Sequence, residues 1–149
     1  MSTRLSLTFI ALTLSIGATA ITTTLPAQAG DGYVSIEQRG WANGAAGSQR
    51  GYRNRLTVDQ DGSHNSAHSR QYGNHNRAVV GQNGHRNSAS TYQNGRGNIS
   101  GVAQFGSGHT VVTSQDGNGN AVGVIQAGRN NRATTTQVGA GNVSVIVQD

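Results

Sequence analysis

The side chains able to do chemistry are few in this chain, and their spacing is poor for catalysis. There are five histidines, His64, His68, His75, His85 and His109, and no cysteine. Three or four ligands converging on one ion would make a zinc site. Only His64 and His75 stand at a spacing that recurs here, so the histidines read as solvated turn residues. The acids after residue 30 are Asp31, Glu37, Asp59, Asp61, Asp116 and Asp149. They form no Gly-Gly-x-Gly-x-Asp series of the kind that binds calcium. No carboxylate pair and no Ser, His and Asp arrangement recurs. The expectation is therefore no catalytic residue, no metal, no cofactor and no small-molecule substrate.

Arginine is the remaining reactive-looking type, and it supplies every one of the 11 basic residues. Ten follow the N-terminal segment: Arg39, Arg50, Arg53, Arg55, Arg70, Arg77, Arg86, Arg96, Arg129 and Arg132. Eight precede residue 100, and nearly all are expected in turns. Trp41, Tyr52, Tyr72, Tyr92 and Phe105 accompany them. The net charge of +5 permits attraction to polysaccharide or extracellular DNA. The same arginines also serve solubility and restrain premature stacking.

Whatever positions these groups is not an ordinary core. Hydrophobic residues make up 34 % of the 149 residues, below the typical globular share of about 45–50 %. Glycine occurs 22 times, and Asn and Gln are abundant. Such a chain points to a repetitive structure.

The first 29 residues stand apart. Arg4, an apolar stretch from Leu5 to Ile16, and Ala27-Gln28-Ala29 after Pro26 read as a secretory signal peptide over 1–29. Residues 30–33 form a short lead-in, and the repeats occupy 34–149. The protein is expected to be exported.

Every Gln after the leader falls in one register: Gln38, Gln49, Gln60, Gln71, Gln82, Gln93, Gln104, Gln115, Gln126, Gln137 and Gln148. Chance would give this with odds on the order of 10⁻¹⁰, so the chain is a true repeat of period 11. Two residues on comes Gly40, Gly51, Gly62, Gly73, Gly84, Gly95, Gly106, Gly117, Gly128 and Gly139. Five residues on comes Asn43, Asn54, Asn65, Asn76, Asn87, Asn98, Asn120, Asn131 and Asn142, with His109 as the exception. Two residues before each Gln, aliphatic alternates with small or hydroxylated: Ile36, Gly47, Val58, Ser69, Val80, Thr91, and so on to Thr135 and Ile146. The structural unit is thus 22 residues, made of two unlike halves.

Alternation up to each Gln predicts strands of five residues, and Gln-x-Gly-x-x-Asn predicts turns of six. The fold class expected is all-β, a β-solenoid of about 5.5 coils with two strands and two turns each, stacked at about 4.8 Å. Stacking sets each Gln and Asn above its copy, so amide ladders along the axis satisfy groups that would otherwise be stranded.

The motif Gln60-Asp-Gly62-Ser-His-Asn65-Ser-Ala67-His-Ser-Arg-Gln71 resembles the curlin repeat, and the resemblance covers Val34 to Gln148. Curlins are the subunits of curli, extracellular functional amyloid fibres of biofilm-forming bacteria. The resemblance implies polymerisation with copies of itself and with another curlin-type subunit. It also implies export through an outer-membrane pore and a role in adhesion and matrix. Only residues 30–33 precede the repeats, less than the targeting stretch that major subunits carry. The unbroken spacing and turn arginines look more like the minor, nucleating subunit.

The physics of an open solenoid points the same way. No Pro follows Pro26, and the strands at both ends are in repeat register. Unprotected strand edges invite pairing with another chain, and a head-to-tail contact that does not close gives a filament. Val34 and Ile36 at one end, and Val145, Ile146 and Val147 at the other, are the expected polymerisation edges. The reading from a different class is a monomeric ice- or polyanion-binding solenoid. Thr134 and Thr136 hint at an outward Thr array, but Glu37, Asp59, Arg70 and Gly81 interrupt the corresponding positions.

Overall fold

The computed structural model describes residues 10–14 and 29–149, with side chains from Asp31 onward. The leader expected over 1–29 lies outside the described residues, apart from 10–14 and Ala29. Everything described is β-structure or turn.

Eleven strands make the coil: β3 (Tyr33–Trp41), β4 (Gly44–Tyr52), β5 (Arg55–Ser63), β6 (Ser66–Asn74), β7 (Arg77–His85), β8 (Ser88–Arg96), β9 (Ile99–Ser107), β10 (Thr110–Asn118), β11 (Ala121–Arg129), β12 (Arg132–Ala140) and β13 (Val143–Gln148). Two shorter strands precede them, β1 (Ile10–Leu14) and β2 (Ala29–Gly30). Odd strands form sheet 1, in the order β1-β3-β5-β7-β9-β11-β13, and even strands form sheet 2, β12-β10-β8-β6-β4-β2. All pairs within β3 to β13 are parallel and shifted by 22 residues, so Val58, Val80, Val102 and Val124 stand in one column. The chain is a parallel β-solenoid with 22-residue coils.

Ten of the eleven strands are nine residues long, not five. The extra length is Gln-x-Gly-x, expected to be turn. In a strict repeat each corner has the same conformation in every coil, so its backbone groups also meet partners above and below. Even the two-residue breaks take part: Arg55 N–H donates to Asn76 O at 2.8 Å, and Arg86 N–H to Ser63 O at 3.0 Å. Backbone groups of the corners thus find partners in neighbouring coils, as a thin coil with little apolar core requires.

The two walls differ, which is why the unit is 22 residues and not 11. Sheet 1 points Ile36, Val58, Val80, Val102, Val124 and Ile146 inward, while sheet 2 offers Gly47, Ser69, Thr91, Thr113 and Thr135 at the same phase. Large meets small. Leu56 is fully buried, and a Cβ on Gly47 would overlap its Cδ2. The hydroxyls pair within the core, Thr91 Oγ1 donating to Ser69 Oγ at 2.8 Å and Ser100 meeting Thr113 at 3.0 Å.

A further strand lies on the N-terminal edge. In the whole chain β1 pairs in parallel with β3, Ile10 opposite Val34, Leu12 opposite Ile36 and Leu14 opposite Gln38. Val34 and Ile36 therefore do not sit on an open edge while residues 10–14 are in place. The residues of β1, Ile-Ala-Leu-Thr-Leu, are β-prone, and β3 offers them an unpaired row of backbone groups.

Candidate assembly site: amide ladders and strand edges

Each inward Gln ends its alternating stretch, so its amide lies in the wall between core and corner. Two ladders run along the axis. In sheet 1, Gln60 Nε2 donates to Gln82 Oε1 (2.7 Å), Gln82 to Gln104 (2.8 Å), Gln104 to Gln126 (3.1 Å) and Gln126 to Gln148 (2.7 Å). Gln38 feeds this ladder from below at 2.5 Å. In sheet 2 the series is Gln49, Gln71, Gln93, Gln115 and Gln137, at 2.6 to 2.9 Å. The second N–H of each amide reaches a backbone carbonyl 16 residues earlier, as Gln82 does to Ser66 O at 3.0 Å. Two donors and the oxygen are thus all used, so these polar side chains can be wholly buried at little cost.

The ladders have a direction. Every Nε2 points to the coil nearer the C-terminus and every Oε1 to the coil nearer the N-terminus. Gln137 and Gln148 bond as donors only to the carbonyls of Ala121 (2.9 Å) and Arg132 (3.2 Å). Each keeps an N–H aimed along the axis that meets no Gln oxygen among the described residues.

The asparagines differ from simple amide stacking. Asn43 Oδ1 accepts the backbone N–H of Asn65 (3.0 Å), and its Nδ2 donates to Gly62 O (3.0 Å) and to Arg39 O (2.8 Å). The bond to the next corner's glycine carbonyl repeats from Asn54, Asn65, Asn76, Asn87, Asn98 and Asn120, tying each corner to the backbone of the next. Asn131 Nδ2 donates to Ala127 O, and Asn142 Nδ2 donates to Val138 O and to Asn120 Oδ1 in the preceding coil.

His109 takes an Asn place and is fully buried. Its Nδ1 accepts the N–H of Asn131 (3.2 Å), so the proton lies on Nε2, which donates to Phe105 O (3.1 Å). The ring reproduces the Asn acceptor and one Asn donor. It omits the second donor, the one that other coils aim at the next corner glycine.

The corner glycines have their own reason. Gly62 has φ +113°, a region that L side chains avoid, and a Cβ there would collide with the carbonyl oxygen of Gly84. Gly40, Gly51, Gly73, Gly84, Gly95, Gly106 and Gly117 are held the same way by the glycine 22 residues on. At Gly128 and Gly139 no such oxygen stands above.

The remaining candidate groups lie outside. His64 and His75 occupy left-handed corner positions, φ +57° and +58°. Trp41, His64 and His85 form an edge-on stack with centroids 4.4 and 5.1 Å apart, and His85 Nδ1 bonds Ser63 Oγ at 2.7 Å. No cluster of three or more metal-ligating groups occurs among the described residues. Arg55 lies over the Tyr33 ring and Arg53 over Tyr52, both at 4.9 Å. Arg39 pairs with Glu37, whose hydrogen bond and charge raise the guanidinium pKa above its ordinary value. Contrary to expectation, several arginines are not in turns. Arg55, Arg77 and Arg132 open strands and Arg70 lies mid-strand, since the solvent-facing phase of a strand accepts a charge as readily as a corner does.

At the chain ends the alternation of β3 and β13 sorts the candidate edge residues. Val34 and Ile36 are buried, and Ile146 packs against the core. Val145 and Val147 project outward and are exposed. What sequence reasoning missed was the Leu56–Gly47 fit, whose signal was the lone Leu in a small-residue column.

The family model of the curlin associated repeat matches residues 51–84, 84–116 and 110–139. Together these cover more than half of the chain. No curated protein matches it.

Proposed function

The chain belongs to the curlin-repeat family, and from that premise we propose that it is a structural subunit of an extracellular curli-type fibre. The family and the solenoid are structural rather than catalytic. The observation that carries the fibre reading is the one-way ladder. Donors remain at the C-terminal end, on Gln137 and Gln148, while the sheet 2 ladder begins at the N-terminal end with Gln49, whose Oε1 has no Gln 22 residues before it. One copy's end is the complement of another's start. The backbone edges of β12 and β13 offer the matching main-chain bonds, and parallel strand addition continues both ladders without new chemistry.

The same proposal includes removal of a signal peptide over 1–29, passage through an outer-membrane pore, and a place in adhesion and biofilm matrix at the cell surface. Removing the leader would also take β1 from the edge of β3, making Val34 and Ile36 available only in the processed chain. A nucleating role beside a second curlin-type subunit uses the same edges. The arginines before residue 100 would hold polysaccharide or extracellular DNA along the fibre.

The test is assembly of chain 30–149 at neutral pH without cofactor. The expected product is fibres diffracting near about 4.8 and 10 Å. A chain that stays monomeric for days at high concentration contradicts the reading and favours a monomeric binding solenoid.

A further inference from the structure

The outer face of sheet 1 changes character along the axis. Over β3, β5 and β7 its outward positions include Glu37, Arg39, Arg55, Asp59, Asp61 and Arg77, with Arg55 directly beside Arg77. From β9 to Val147 those positions carry no charge, and the one charged residue of these strands is Arg129 at the corner end of β11. Ile99, Phe105, Ile125, Val143, Val145 and Val147 stand on this face at 44 to 75 % exposure. Gly101 and Gly123 lie between them, and nothing stands within 4 Å of a Cβ on Gly123, so the floor is low and open. At the same height sheet 2 turns outward Val112 and Val138 too, but there they stand among Ser114, Asp116, Arg132, Thr134 and Thr136. Charged and hydroxylated neighbours break up the apolar surface on that wall, so the contiguous apolar patch is the one on sheet 1.

A single patch is small. Three strands at about 4.8 Å and seven residues at about 3.3 Å give roughly 300 Å². A stable protein pair buries about 800 Å² on each partner, so two monomers would not hold together by this face. A filament multiplies it. With about 5.5 coils to a chain the two walls exchange at each junction, so on either side of the filament a patch recurs every second chain, about every 53 Å at ~4.8 Å per coil, and patches aligned in a row bind with avidity.

We propose that this face is a lateral seam, where one filament packs against the same face of another. The occupant is a second copy of this chain, and the contact is isologous, patch on patch. Sheets pack face to face at about 10 Å, and the glycine floor admits the mate's Ile125 and Val145. The charged outer face of β3, β5 and β7 stays hydrated and confines the seam to the apolar half. The inference rests on the fibre reading above.

The experiment uses chain 30–149 with Ile125→Lys and Val145→Lys together. A second variant, Ile125→Thr with Val145→Thr, keeps β-branched side chains in case the charges impair folding. Val112→Lys, on the outer face of sheet 2, is the control. Thioflavin signal and diffraction report polymerisation; filament width by electron microscopy and low-speed pelleting report bundling. Wild type and control should form bundles, and the double variants should polymerise to single filaments that stay in suspension. Fibres of either double variant that bundle like wild type overturn the seam, as does equal loss of bundling in the control. Wild-type filaments that stay single, or that instead coat anionic lipid vesicles through this face, overturn it too. Failure of wild type to polymerise overturns the fibre reading, and the row of patches with it.

Discussion

Gln126 Nε2 donates to Gln148 Oε1 at 2.7 Å, and Gln148 in turn donates only to the carbonyl of Arg132, 3.2 Å away. The ladder therefore stops at a side chain that still has a donor to give. Gln148→Glu keeps the acceptor for Gln126 but removes both N–H groups, including the one on Arg132 O, and turns a carboxylate oxygen toward an incoming Gln oxygen. The fold should be retained and elongation from wild-type seeds should slow several-fold. Unchanged elongation would mean that growth does not pass through Gln148.

Interior ladder residues carry a different burden. Gln82→Ala strands one N–H of Gln60, the oxygen of Gln104 and the carbonyl of Ser66. At about 1 kcal/mol for each stranded group, the loss is about 3 kcal/mol. Ser90→Ala, on the outward face of β8, should change stability by no more than about 0.5 kcal/mol. Denaturant midpoints for the two variants check this, and equal shifts would refute the inward register of the glutamines.

The inward register was legible because period 11 leaves little freedom. Once Gln60 and Gln82 share a phase, Val58 and Val80 must share a face and a column. The strand lengths were not legible, because Gln-x-Gly-x reads locally as a turn and only the coils above and below make it pair. The asparagine bonds were hidden for the same reason, since Asn43 meets the backbone at Gly62 and Asn65 and not a neighbouring amide. The pairing of β1 with β3 lay beyond sequence reading because the leader has no Gln in repeat phase.

His109 is the one break in the Asn series, and it omits the donor that would reach Gly128 O. His109→Asn should restore that bond, since Asn fits the equivalent corner at Asn87 and Asn98. Stability should rise by about 1 kcal/mol, seen as a higher denaturant midpoint. A lower midpoint would show that the imidazole ring contributes packing that Asn lacks.

The pairing of Ile10–Leu14 with Val34–Gln38 makes β1 a cover for the N-terminal edge. The whole chain should add to wild-type seeds several-fold more slowly than chain 30–149 at equal concentration, because one of its two edges is already paired. Equal rates in seeded thioflavin assays would show that β1 leaves before addition or does not shield the edge.

The central claim is that growth occurs at the chain ends, and two deletions test it most directly. Removing Val143 to Asp149 takes away β13 and its part of the C-terminal edge, while the coils behind it keep their neighbours. Removing Ala67 to Ser88 joins Ser66 to Ala89, excises one whole coil, keeps the repeat phase and leaves both ends intact. Thioflavin kinetics should show slower nucleation and elongation for the end deletion than for the internal one. If the internal deletion is the slower, the ends are not the growth interface and the head-to-tail account is wrong.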